Sequence, residues 1–135
     1  MRKMKIFAMT LSLVATIGVA ALADSQTVTD QTSGGSAGRV TVVEKLTMSH
    51  SYGIQACAGT YIESGQAVDL ITAKIEELVN GGQHYAEGRS TDRATTSYLP
   101  ASNVENYKFR STHKVLSSRY GNFSRLDGSG LISTN

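Results

Sequence analysis

The chain of 135 residues has one cysteine, one proline and no tryptophan. A single cysteine excludes an internal disulfide, so the fold has to rest on its apolar core. Cys57 stands between Ala56 and Ala58, a setting that predicts a buried small hydrophobe and no activated thiol. The lone Pro100 leaves most of the chain free for uninterrupted elements and marks 99–103 as a loop.

Motifs with chemistry are scarce too. The three histidines, His50, His84 and His113, and Cys57 show no C-x₂-C, H-x₃-H or His-Glu-x-x-His spacing. No metal and no cofactor is expected. Serine is abundant but forms no Gly-x-Ser-x-Gly elbow. Gly81-Gly82 lacks the Gly-Lys-Ser/Thr that a phosphate loop needs.

What is present begins with an export signal. Arg2, Lys3 and Lys5 form a basic start, residues 6–20 are apolar, and Ala21-Leu22-Ala23 is a small-x-small cleavage site. The apolar run falls short of the ~20 residues of a membrane span. Residues 1–23 therefore read as a bacterial-style secretory signal, with export to the periplasm or the medium. After cleavage no transmembrane segment is expected.

The full chain is formally +2, but three of its basic residues leave with the signal. Residues 24–135 then hold 10 basic and 11 acidic side chains, a net of −1. Residues 24–105 carry five basic and ten acidic side chains, and 106–135 carry five basic against Asp127 alone. Such segregation can mark a binding face.

Residues 24–38 contain one valine and no aromatic residue, and read as a disordered linker. Residues 39–127 read as one domain, and 128–135 as a frayed tail. Strands are expected over 39–48 and 54–62, paired as a hairpin, with Ala56 to Gly59 small enough for close approach of a helix. That helix is expected over 65–80. At about 100° per residue Ala67, Val68, Ile71, Ile75, Leu78 and Val79 share one arc, with Ser64 as N-cap and Gly81 as C′. Weaker strands are expected over 84–91 and 94–99, a confident one over 107–116, and a short one over 119–126.

The expected fold is α+β: a small antiparallel sheet in β-β-α-β-β order with one amphipathic helix on one face. This order of elements resembles that of SIMPL-domain proteins of bacterial envelopes. The likeness covers element order only and implies no function. About 90 ordered residues bury only ~60–65% of their unfolded surface, so a homo-oligomer would add stability.

The most organised functional signal lies at 107–125. Tyr107, Phe109, His113 and Val115 alternate with Lys108, Arg110, Thr112 and Lys114. One face is expected to pack on the core and the other to be cationic. The plain reading of that second face is a solvated surface that discourages edge pairing. The functional reading is a non-enzymatic exported interaction module whose partner is an anionic polymer or a protein. It would be contacted through Lys108, Arg110 and Lys114, with Arg119 and Tyr120 secondary. Two other readings stand beside it. One is a secreted nuclease-like hydrolase or toxin with His84 and His113 as acid and base. The other is a secreted antagonist such as an inhibitor or bacteriocin.

Overall fold

The computed structural model describes residues 23–133 except Tyr52 and Asn80. The expected signal segment lies outside the described residues, Ala23 apart. Nine strands follow in order: β1 Ala23–Gln31, β2 Thr41–Ser49, β3 Gln55–Ile62, β4 Val68–Glu77, β5 Gln83–Thr91, β6 Arg93–Thr95, β7 Leu99–Pro100, β8 Lys108–Leu116 and β9 Phe123–Ser133. They form two antiparallel sheets. The first runs β1-β2-β3-β6, with β7 also on β3, and the second runs β5-β4-β8-β9. Among the described residues there is no helix, and so none long and apolar enough to cross a membrane.

The expected α+β fold is thereby corrected to an all-β sandwich. Residues 68–77 form the strand β4, hydrogen-bonded on one side to β5 and on the other to β8. The apolar arc had counted Leu78 and Val79, yet these sit in the β4–β5 turn, 39% and 46% exposed. Within β4 the buried inner positions are Ile71, Ala73, Ile75 and Glu77, a period of two. Besides Val68, three residues up to Ile75 are branched at Cβ, namely Ile71, Thr72 and Ile75, and Val, Ile and Thr favour a pleated strand. Gly81 has φ +77°, as a helix C′ glycine would, but it serves the turn that returns the chain into β5. The likeness to SIMPL-domain element order falls with the helix.

The segment 24–38, expected as a linker, carries most of β1, paired to β2 from Ala23↔Ser49 to Gln31↔Thr41. The loop that follows docks on the turn between β8 and β9. Ser33 N–H donates to Asn122 C=O, Gly34 N–H to Tyr120 C=O and Ala37 N–H to Arg119 C=O, at 2.8–3.0 Å. Backbone approaches so closely there that a Cβ on Gly121 would run into Gly34, and Gly121 itself has φ +87°. Residues 128–133, expected as a frayed tail, lie in β9.

β2 and β3 pair as the expected hairpin, with Val42↔Ile62 and Met48↔Ala56 in register. Val42, Leu46 and Met48 from β2 meet Ala56, Ala58 and Ile62 from β3, and the core is completed by Ile71, Ile75, Phe109 and Val115. Ala56 and Ala58 thus face another sheet and not a helix. On the outer side the Tyr61 ring lies over Gly59.

Cys57 is corrected from core to outer face. It is half-buried on β3, beside Thr47 in register. Burial pushes its thiol pKa up, while a hydrogen bond with Tyr98 and the charge of Lys45 pull it down. Native protein should therefore react with a thiol reagent at least about tenfold more slowly than urea-unfolded protein. Equal rates for native and unfolded parent would contradict the shielded thiol.

Candidate functional site

β8 alternates cleanly. Phe109, Ser111, His113 and Val115 are buried, and Lys108, Arg110, Thr112, Lys114 and Leu116 point outward. The neighbouring strands extend that outer face into a grid. Its rows, read from β5 through β4 to β8, are Gln83–Glu76–Arg110, Tyr85–Lys74–Thr112, Glu87–Thr72–Lys114 and Arg89–Leu70–Leu116. Rows stand about 7 Å apart along the strands and strands about 4.8 Å apart.

Two carboxylates brace this face. Arg110 donates to Glu76 Oε1 from Nη2 at 3.1 Å and from Nε at 3.3 Å, and Lys74 Nζ lies 3.7 Å from Glu76 Oε2. Arg89 Nε and Nη2 each lie 2.9 Å from Glu87 Oε2, and Tyr85 Oη donates to Glu87 Oε1 at 3.0 Å. Lys108 and Lys114 stand exposed at either end of the β8 row, about 20 Å apart for six residues of strand.

The structure therefore brings Lys108, Arg110 and Lys114 onto one face, and Arg119 and Tyr120 elsewhere. Both belong to the turn after β8. Tyr120 is buried, its hydroxyl donating to Gln66 Oε1 at 3.2 Å, and the Arg119 guanidinium lies 5.2 Å from its ring. Tyr120 is thus a core anchor under Arg119. Lys74, Glu76, Tyr85, Glu87 and Arg89 escaped the sequence reading. The alternation of Tyr85, Glu87 and Arg89 along 83–91 was a usable signal. Lys74 and Glu76 were hidden by assigning a helix to their strand.

The histidines are dispersed. His50 lies in the β2–β3 turn. His84 is half-buried on β5, its Nδ1 3.1 Å from Ser97 Oγ. His113 is enclosed between the sheets at 1% exposure. Thr60 Oγ1 gives its proton to the Thr72 carbonyl at 2.7 Å. The His113 Nδ1–H must then donate to Thr60 Oγ1 at 2.8 Å, leaving Nε2 to accept from Ser111 Oγ at 2.7 Å. Burial, and then the nearby Arg125 charge, push the His113 pKa down to about 4, against a backbone contact with Gly59. Arg125 crosses from β9 to β1 and β2, with Nη2 2.9 Å from Asp30 Oδ2 and Nε 3.3 Å from Glu44 Oε1.

The Ser111–His113 pair has the spacing of a nucleophile and its base, but Ser111 is fully buried. A polymer cannot reach either atom, which argues against His113 as the acid or base of a hydrolase. Among the described residues no group of three or more His, Cys, Asp or Glu side chains is arranged to hold a metal ion.

No family model, curated protein or solved structure matches the chain.

Proposed function

We propose that this chain is a non-catalytic binding module that works after export, in the periplasm or the medium. It would hold an anionic polymer against the outer face of the second sheet. The carrying observation is electrostatic. Lys74, Arg89, Lys108, Arg110 and Lys114 stand on that face against Glu76 and Glu87, a net of +3, whereas residues 24–135 together are −1. Attraction to a polyanion must then come from this face and not from bulk charge. The signal expected from residues 1–23 is the support for the compartment, and the enclosed His113 supports binding over turnover.

The test is a binding series of the exported protein against an anionic polysaccharide, single-stranded DNA and anionic liposomes at two salt concentrations. Binding should weaken with salt as counterions are released. Lys108→Gln with Lys114→Gln should lower affinity by about tenfold or more, since each removes a desolvating ionic contact. Both side chains are exposed, so the thermal midpoint should move little. Equal affinity for parent and double variant, or no binding at low salt, would show that the face is only a solvated surface.

A further inference from the structure

We infer that Tyr85 is a stacking platform for a sugar ring, so that the polymer held on this face is an anionic polysaccharide. The inference rests on the binding reading above and narrows it to one class of ligand. Tyr85 is 56% exposed on the outer face of β5, with Lys74 opposite it in register. Its hydroxyl is tied to Glu87, which also holds Arg89. The bond from the phenol to Glu87 limits the ring's rotamers, so little side-chain freedom remains to be lost when a ligand stacks on it.

The surroundings of the ring select the ligand. An aromatic face takes the C–H face of a sugar, while a carboxylate accepts hydrogen bonds from its hydroxyl groups. Glu87 and Glu76 lie within two rows of Tyr85, each already bracing a guanidinium. A nucleic acid carries a phosphate on every residue, and some of these would pass over the two carboxylates at a cost in repulsion. A hydroxyl-rich polymer with spaced anionic groups suits both kinds of site. Its hydroxyls meet Glu87, Arg89 and Glu76, and its anionic groups meet Lys114 and Lys108. From Tyr85 to Lys114 is one row and two strands, about 12 Å.

The experiment compares the exported protein with Tyr85→Ala, Tyr85→Phe and the Lys108→Gln/Lys114→Gln pair. The probes are hyaluronan, whose carboxylates stand on every second sugar, inorganic polyphosphate and oligo(dT), at low salt. Tyr85→Ala should weaken hyaluronan binding by about tenfold, the scale of one lost stacking contact. It should leave polyphosphate binding, which needs charge alone, unchanged. Tyr85→Phe keeps the ring and should retain most of the hyaluronan affinity. Thermal midpoints of all variants should match the parent. If Tyr85→Ala binds hyaluronan as the parent does while the lysine pair abolishes binding, the platform is overturned and the charged-face reading survives. If oligo(dT) binds more tightly than hyaluronan and loses that affinity in Tyr85→Ala, the ligand class is overturned in favour of nucleic acid. If the lysine pair binds hyaluronan as the parent does, the charged-face reading itself falls, and this inference with it.

Discussion

Ile75→Asp is expected to cost about 4–5 kcal/mol of stability or more, close to all that a marginally stable domain of this size has. Ile75 is fully buried at the centre of β4, across from Ser111 on β8 and His84 on β5. The substitution removes about 2–3 kcal/mol of apolar burial. It also places a carboxylate in the apolar core, adding at least about 2 kcal/mol more. A domain of this size has only about 5–15 kcal/mol in total. Glu76→Gln, one residue away, is the control. Glu76 points outward, accepts from Arg110 and forms an ion pair with Lys74 at 3.7 Å, all three side chains partly exposed. Its loss should cost less than about 1 kcal/mol. Urea midpoints of the two variants decide the matter, and similar values would mean that the faces of β4 are exchanged.

Acid is expected to weaken the fold through His113. In the folded chain its pKa is pushed down to about 4, against about 6.5 when unfolded. Between those values the unfolded chain binds a proton that the folded chain refuses. Stability therefore rises with pH across this window. The contribution is fully present above about 6.5 and is lost as pH falls towards 4. Going from pH 7 to pH 4.5 should cost about 2–3 kcal/mol from this group. His113→Gln should be less stable than the parent at pH 7, since it disturbs the bonds to Thr60 and Ser111. Its stability should nevertheless change less between the two pH values. Asp30 and Glu44, which hold Arg125, remain in both proteins, so their own titration is common to the comparison. Equal losses in parent and variant would show that His113 is not the group concerned.

The face proposed for ligand binding lies on the side of the second sheet turned away from these two buried positions. Its variants can therefore be read for affinity while the core is left intact. Tyr85 and the lysines touch solvent; Ile75 and His113 touch only protein. Loss of binding without loss of stability belongs to the first group, and the reverse order belongs to the second.

Local alternation alone was enough for β2, β3 and β8. In each, one side packs on the core and the other meets solvent or neighbouring polar groups, so the period of two is written in residue type. The basic row of Lys108, Arg110 and Lys114 was legible for that reason. Gly81 was also legible as a left-handed position, with φ +77°, whereas Gly65, at φ +80°, was read as the first residue of a helix. Which element Gly81 terminates was not legible, because a helix end and a hairpin turn ask the same of a glycine. β4 sits between two other strands, and Thr72 is buried on its outer side. With Val68 and Thr72 both buried outside the inner set of Ile71, Ala73, Ile75 and Glu77, the alternation is broken, and the apolar positions then match a helical arc as well as a pleat. β1 holds one buried valine and is ordered by its ladder to β2 and by the docking of its following loop. Those partners lie elsewhere in the chain, and composition carries no trace of them. Residue order along the chain thus sets the faces of β2, β3 and β8, the left-handed Gly81 and the surplus of positive charge after residue 105. Only the tertiary structure decided that 68–77 is a strand, that 24–31 joins a sheet, and that Tyr85 and Lys74 stand beside the basic row. Each of these depends on long-range backbone pairing, which has no counterpart in the order of residues along one segment.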